Sequence, residues 1–114
     1  MPDELKAGNL AQPFAVGFLI VEHANGEQSQ VVVPRDSAIF IGRSPGNQVH
    51  IYGAAVSRNH VKVTAKGNEV FVWDLTTPAG TLLNGVSLGR GGEARLQSGD
   101  VLTIGKTKIT FQSV

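Results

Sequence analysis

Glycine-bearing turns punctuate this chain at short intervals. The runs between them are rich in Val, Ile, Phe and Thr. Asn25-Gly26, Lys66-Gly67-Asn68, Asn84-Gly85 and Gly105-Lys106-Thr107 each separate two such runs. These pairs reverse a chain because Gly and Asn tolerate the positive φ that tight hairpins require. The pattern predicts strands over Phe14–Glu22, Gln30–Val33, Ala38–Ile41, Val49–Ile51, Asn59–Ala65, Glu69–Asp74, Thr81–Leu83, Val101–Ile104 and Lys108–Phe111. Val61, Val63 and Ala65 alternate with polar neighbours, as half-buried strands do. No segment carries an amphipathic helical stripe. Many short strands joined by regular turns make an all-β sandwich or barrel.

With 114 residues, the chain has one-domain length. Residues 1–13 read as a polar, Pro/Gly-punctuated flexible tail, and residues 14–114 as the domain. The formal net charge is +1, which gives no overall field for holding nucleic acid. There are no cysteines, so disulfides and thiolate metal sites are excluded and a cytoplasmic setting is expected. No apolar run is long enough to cross a bilayer, and Met1-Pro2-Asp3-Glu4 does not read as a signal peptide. The tail contains no Ser, Thr or Tyr, so it offers no hydroxyl for phosphorylation.

Arg43 follows Gly42 at the end of the apolar run Ile39-Phe40-Ile41, and Ser57-Arg58-Asn59-His60 precedes another strand pattern. In a sandwich the loops gather at the sheet ends, so these segments and the loop at residues 75–80 converge. Two guanidiniums and a hydroxyl form a cationic cup of donors suited to a dianionic phosphate on a protein side chain. Nothing near it would cut or transfer that phosphate. Ser57, His60 and Asp74 do not make a hydrolase triad, because Ser57 and His60 share one short segment and no nucleophile elbow is present. His23, His50 and His60 lack ligand spacing, so no metal and no cofactor are expected. Gly99 to Thr107 imitates a nucleotide-binding loop, but its interior is a strand and no helix follows. Trp73 and Phe71 read as core or sheet-surface residues. Arg90 and Arg95 either are solvated or extend the positive rim.

Taken in order, Gly42-Arg43, Ser57-Arg58-Asn59-His60, the segment Asp74 to Gly85 and the segment Leu96 to Gly105 resemble the forkhead-associated (FHA) domain family over about residues 14–113. The resemblance implies a β-sandwich of about eleven short strands in two sheets, binding phosphothreonine peptides through loops at one end without catalysis. It implies that Arg43 pairs with phosphate oxygens, that Ser57 donates its hydroxyl, and that Arg58 contacts the phosphate or the peptide backbone. Thr77, Pro78 and Ala79 would complete the peptide contact. Gly42 would allow the turn that aims Arg43, and His60, Gly80, Thr81 and Asn84 would support the loops. The implied partner is a phosphothreonine-containing protein, a Ser/Thr kinase or its substrate, bound by a monomer with no nucleic acid and no membrane insertion.

The chain departs from that pattern where the family commonly reads Asn-Gly-Thr and this sequence reads Ala79-Gly80-Thr81. Ala79 has no side-chain group to grip a peptide main chain, and Pro78 has no hydroxyl. Gln48 stands where an aspartate is frequent. These substitutions motivate an alternative, a scaffolding domain that docks partners independently of phosphate.

Overall fold

The computed structural model describes residues 14–114, and the sequence-predicted tail at 1–13 lies outside the described residues. The strands are β1 (Ala15–Glu22), β2 (Gln28–Pro34), β3 (Ser37–Gly42), β4 (Val49–His50), β5 (Val61–Lys66), β6 (Glu69–Asp74), β7 (Leu82–Leu83), β8 (Val86–Ser87), β9 (Glu93–Leu96), β10 (Val101–Ile104) and β11 (Thr107–Ser113). They form a six-stranded sheet, β2-β1-β11-β10-β7-β8, and a five-stranded sheet, β4-β3-β5-β6-β9. The expected β-sandwich of eleven strands in two sheets is the fold observed, with no helix among the described residues.

The core lies between the inner faces. Leu19 and Val21 of β1, Val61 and Val63 of β5, Val72 of β6, and Ile104 and Ile109 of β10 and β11 are fully buried. Each contributes about 1.5–3 kcal/mol of transfer free energy relative to an exposed position. Trp73 and Phe71 face outward on β6, half-buried, with Lys62 5.4 Å above the Trp73 ring. They are sheet-surface residues.

Three of the four turn signals form two-residue hairpins. Leu83 pairs with Val86 across Asn84 and Gly85, which have φ of 51° and 83°. Both central residues at positive φ is what a type I′ turn demands. Lys66 pairs with Glu69, and Ile104 with Thr107. Asn25-Gly26 differs, because the first paired residues outside it are Glu22 and Gln28. His23 accepts from Gly26 N at 3.0 Å and donates to Glu27 O at 2.8 Å, and only Gly26 takes positive φ, at 91°. This is a three-residue turn with a glycine bulge, and it starts β2 two residues before the expected position.

Two strands were not expected. Val86–Ser87 is the short return of the type I′ hairpin. Glu93–Leu96 has helix-favouring residues but pairs with β6, setting Ala94 beside Val72 and Leu96 beside Val70. Burial against the core overrides local propensity there.

Candidate functional site

The ends of β3 and β6 and the start of β5 lie at one end of the sandwich, and the loops that leave them form its rim. Beyond the last strand pair, residues 41–44 and 57–60 remain joined by backbone bonds. His60 N donates to Ile41 O at 2.8 Å, Arg43 N to Ser57 O at 2.9 Å, and Ser44 N to Arg58 O at 3.1 Å. Gly42 is buried at the closest approach, where a Cβ would collide with the carbonyls of Ser57 and Arg58. Its φ is not positive. Glycine is therefore required for the approach of two backbones, not for the turn the sequence suggested.

Arg43 is exposed, and its Nε donates to Val56 O at 3.0 Å. That bond fixes the plane of the guanidinium, and its terminal nitrogens make no hydrogen bond or ion pair among the described residues. Ser57 is half-buried, and its backbone N–H is taken while its hydroxyl has no partner among the described residues. Arg58 is exposed, and its carbonyl is held by Ser44 N and by Asn47 Nδ2, the latter at 2.7 Å. The structure thus brings Arg43, Ser57 and Arg58 together on two laced segments. Asn47 was not foreseen from the sequence, where it read only as turn chemistry.

Beneath this crest is a buried polar knot. Ser57 N donates to His60 Nδ1 at 3.0 Å, so that nitrogen is unprotonated. The proton is assigned to Nε2, which donates to Gly80 O at 2.8 Å. Thr77 Oγ1 lies 3.2 Å from the same nitrogen. Asp74 is buried at the end of β6 and collects the remaining donors. Its Oδ2 accepts from Thr81 Oγ1 at 2.7 Å and Thr77 Oγ1 at 2.9 Å, and its Oδ1 accepts from Thr77 N at 3.0 Å and Gly91 N at 3.5 Å. Burial pushes the Asp74 carboxyl up, but the Thr77 amide, the Thr81 and Thr77 hydroxyls and the Gly91 amide outweigh it and hold the pKa below the ordinary value.

The knot corrects two sequence expectations. Thr77 is 5% exposed, and its hydroxyl both donates to Asp74 and accepts from Gly80 N at 3.1 Å. It braces the loop and does not face a ligand. Asn84 is bonded to Asp100 Oδ1 and Val101 N, at the end of β10 remote from the rim, so it anchors the hairpin there and does not brace the site loops. His60, Gly80 and Thr81 do brace the rim, while Pro78 and Ala79 are exposed on its crest. Arg90 lies exposed on the loop whose Gly91 N reaches Asp74, so it belongs to the rim. Arg95 pairs with Glu69 at 3.5 Å on the outer sheet face and does not. Gln48 Oε1 accepts from Phe40 N at 2.8 Å, a bond along the edge of β3.

No hydrolase geometry results. His60 meets the backbone of Ser57, not its hydroxyl, and Asp74 bonds threonines, not His60. Among the described residues no group of three His, Asp or Glu could hold a metal ion.

The sequence matches the FHA domain family over residues 39–105, more than half of the chain. The chain belongs to the FHA family. That is a family of phosphothreonine-binding modules, generally non-catalytic. Among curated proteins, none matches this chain. Solved structures do. The FHA domain of CT664 protein from Chlamydia trachomatis is 18% identical, with a TM-score of 0.79 over 88% of this chain and 99% of that one. The FhaA FHA domain, complexed with the intracellular domain of Rv3910, is 26% identical, with a TM-score of 0.69 over 84% of this chain and 99% of that one. A domain from a structural and functional analysis of phosphothreonine-dependent FHA interactions is 25% identical, with a TM-score of 0.72 over 87% and 97%.

Proposed function

We propose that this domain binds phosphothreonine peptides through Arg43, Ser57 and Arg58, and that it serves as a cytoplasmic recruitment module downstream of a Ser/Thr kinase. The observation that carries the reading is the Arg43 side chain. It is oriented by the Val56 carbonyl, and its charge is not neutralised by any carboxylate among the described residues. A phosphate monoester offers three acceptor oxygens and nearly two negative charges at neutral pH. Each charge-assisted bond to it adds about 1.5–3 kcal/mol. Ser57 adds a hydroxyl donor, and Arg58 adds charge to the same rim. The neighbour from the study of phosphothreonine-dependent FHA domain interactions supports the class of ligand.

Titration of phosphothreonine peptides by fluorescence anisotropy tests this. The wild type binds phosphorylated peptides in preference to unphosphorylated ones. Affinity falls with added salt and as pH drops through about 6, where the phosphate gains its second proton. No binding from a broad peptide library, or equal binding by Arg43→Ala, defeats the reading.

One observation favours a second reading. Pro78 and Ala79 occupy the crest of the third loop and present no side-chain hydrogen-bonding group. A partner held through this rim independently of phosphate would be captured equally before and after phosphatase treatment. Capture abolished by phosphatase removes that alternative.

A further inference from the structure

We propose that Arg90 forms a second anion subsite on the rim, taking an acidic or phosphorylated side chain about three or four residues from the phosphothreonine. This subsite presupposes the phosphothreonine cup and names the class of peptide that suits it. The segments on this side of the rim, residues 43–48, 57–60, 75–81 and 88–92, contain Arg43, Arg58 and Arg90 and no Asp or Glu. All three arginines are exposed, and none makes an ion pair among the described residues. The carboxylate at their base, Asp74, is buried and occupied by the donors of the knot. A single phosphate is served by Arg43, Ser57 and Arg58. Arg90 then stands as an unmatched charge beyond the third loop.

The backbone holds Arg90 in a fixed place. Gly92 N donates to Gly89 O at 3.0 Å and closes a turn with Arg90 and Gly91 at its corners. Gly91 takes a φ of 71°, which the second corner of a type II turn requires. This turn is fastened to the knot at two points. Asp74 N donates to Gly92 O at 2.8 Å, and Gly91 N donates to Asp74 Oδ1 at 3.5 Å. The same aspartate accepts from Thr77 and Thr81 of the third loop. One buried carboxylate therefore sets the Arg90 turn against the loop that borders the cup, and little ordering is left for a ligand to impose.

The sheet gives the spacing. β3, β5, β6 and β9 are successive strands. Arg43 follows β3, Arg58 precedes β5, the third loop follows β6 and Arg90 precedes β9. Neighbouring strands lie about 4.8 Å apart, so the Arg90 turn is about 10 Å from the segment entering β5 and about 14 Å from the end of β3. An extended peptide advances about 3.3 Å per residue, which puts Arg90 beside a side chain about three or four residues from a phosphate in the cup. Pro78 and Ala79, on the loop between, offer that peptide no side-chain hydrogen bond. A negative charge beyond them finds the grip that the crest lacks. A guanidinium pairs with carboxylate and phosphate oxygens alike.

Fluorescence anisotropy is the test. A phosphothreonine peptide with neutral flanks is compared with versions carrying Glu or phosphoserine at that spacing, before or after the phosphothreonine. On one side only, Glu is expected to raise wild-type affinity about two- to fivefold over the neutral peptide, and phosphoserine by more. Arg90→Gln removes that gain, and Arg90→Lys keeps part of it. The phosphoserine gain shrinks as pH falls through about 6 while the Glu gain persists, which tells the two sources of charge apart. Arg43→Ala separates this subsite from the cup: neutral-flank binding equal to the wild type defeats the cup itself. With that binding weakened as expected, no gain in the wild type at any position, or a gain that Arg90→Gln leaves intact, overturns the subsite alone.

Discussion

The crest and the knot of the rim use similar residue types for opposite ends. On the crest, Arg43, Arg58, Pro78 and Ala79 are exposed and Ser57 is half-buried. Apart from the Arg43 Nε bond to Val56, those side chains make no hydrogen bonds among the described residues. A few ångströms below, Asp74, Thr77, Thr81 and His60 are buried and bonded to one another and to the loop backbone. A buried polar group must be satisfied from within, whereas an exposed one can wait for a ligand. The hydroxyls of Ser57 and Thr77 differ in role for that reason alone. The comparison divides substitutions into those that unfold the rim and those that change what it holds.

The largest effect belongs to the knot. Asp74→Ala leaves two threonine hydroxyls and two backbone amides without their acceptor, at a cost of about 3–5 kcal/mol. Urea unfolding measures it as a lowered midpoint. The folded-state pKa of Asp74 lies below the ordinary carboxylate value. Its contribution is therefore complete at pH above the unfolded-state pKa, and is lost as pH falls through the folded one. Stability of the wild type declines across that acid window, and Asp74→Asn flattens the decline. An acid limb as steep in Asp74→Asn as in the wild type refutes this role for the carboxylate.

Arg43→Ala acts on the crest and inverts the pattern. Loss of even one charge-assisted bond weakens phosphopeptide affinity about tenfold or more. The melting temperature stays close to the wild type, because the side chain is exposed and only its Nε is engaged by the protein.

Much of this division was legible in the sequence. Alternation and turn residues specified the sandwich, and Asp74 continues the parity of Val70 and Val72, although its burial and its donors emerged only from the structure. Thr77 was expected at the peptide contact and Thr81 in support of the loops, whereas both hydroxyls donate to Asp74; the exposed crest residues sit on the loops as expected. What stayed hidden depended on contacts distant in sequence. Gly42 is needed because the carbonyls of Ser57 and Arg58 press against it, and no local pattern announces that. The parallel pairing of β3 with β4, Ile41 beside Val49, crosses a loop whose course cannot be read from its turn residues. The helix-favouring run at Glu93–Leu96 became a strand because β6 offered Val70 and Val72 as neighbours.

Ala79→Asn sharpens the comparison from the other side. It adds to the crest the donor and acceptor that this loop lacks. One net hydrogen bond to a peptide main chain adds about 1 kcal/mol, or about fivefold in affinity. The gain is read by anisotropy with one phosphothreonine peptide, and it disappears in the Arg43→Ala background if peptide docking depends on the anion cup. A gain that survives there places the peptide without the phosphate.

The smallest effect concerns the one residue that belongs to both layers. Thr76 is exposed, yet its φ is 61°, a region that β-branched residues avoid. Its neighbours hold it there: Leu75 N donates to His60 O at 3.0 Å and Thr77 N donates to Asp74 Oδ1 at 3.0 Å. The left-handed conformation costs a residue with a Cβ about 1–2 kcal/mol. Glycine removes that strain but adds about 0.5–1 kcal/mol of unfolded-state entropy. Thr76→Gly is thus expected to stabilise the domain by about 0.5–1 kcal/mol in urea unfolding. Phosphopeptide affinity is expected to stay unchanged, since the knot pins the backbone on both sides. A loss of affinity would make the strain part of the crest's grip, and the line between the two layers would then run through Thr76.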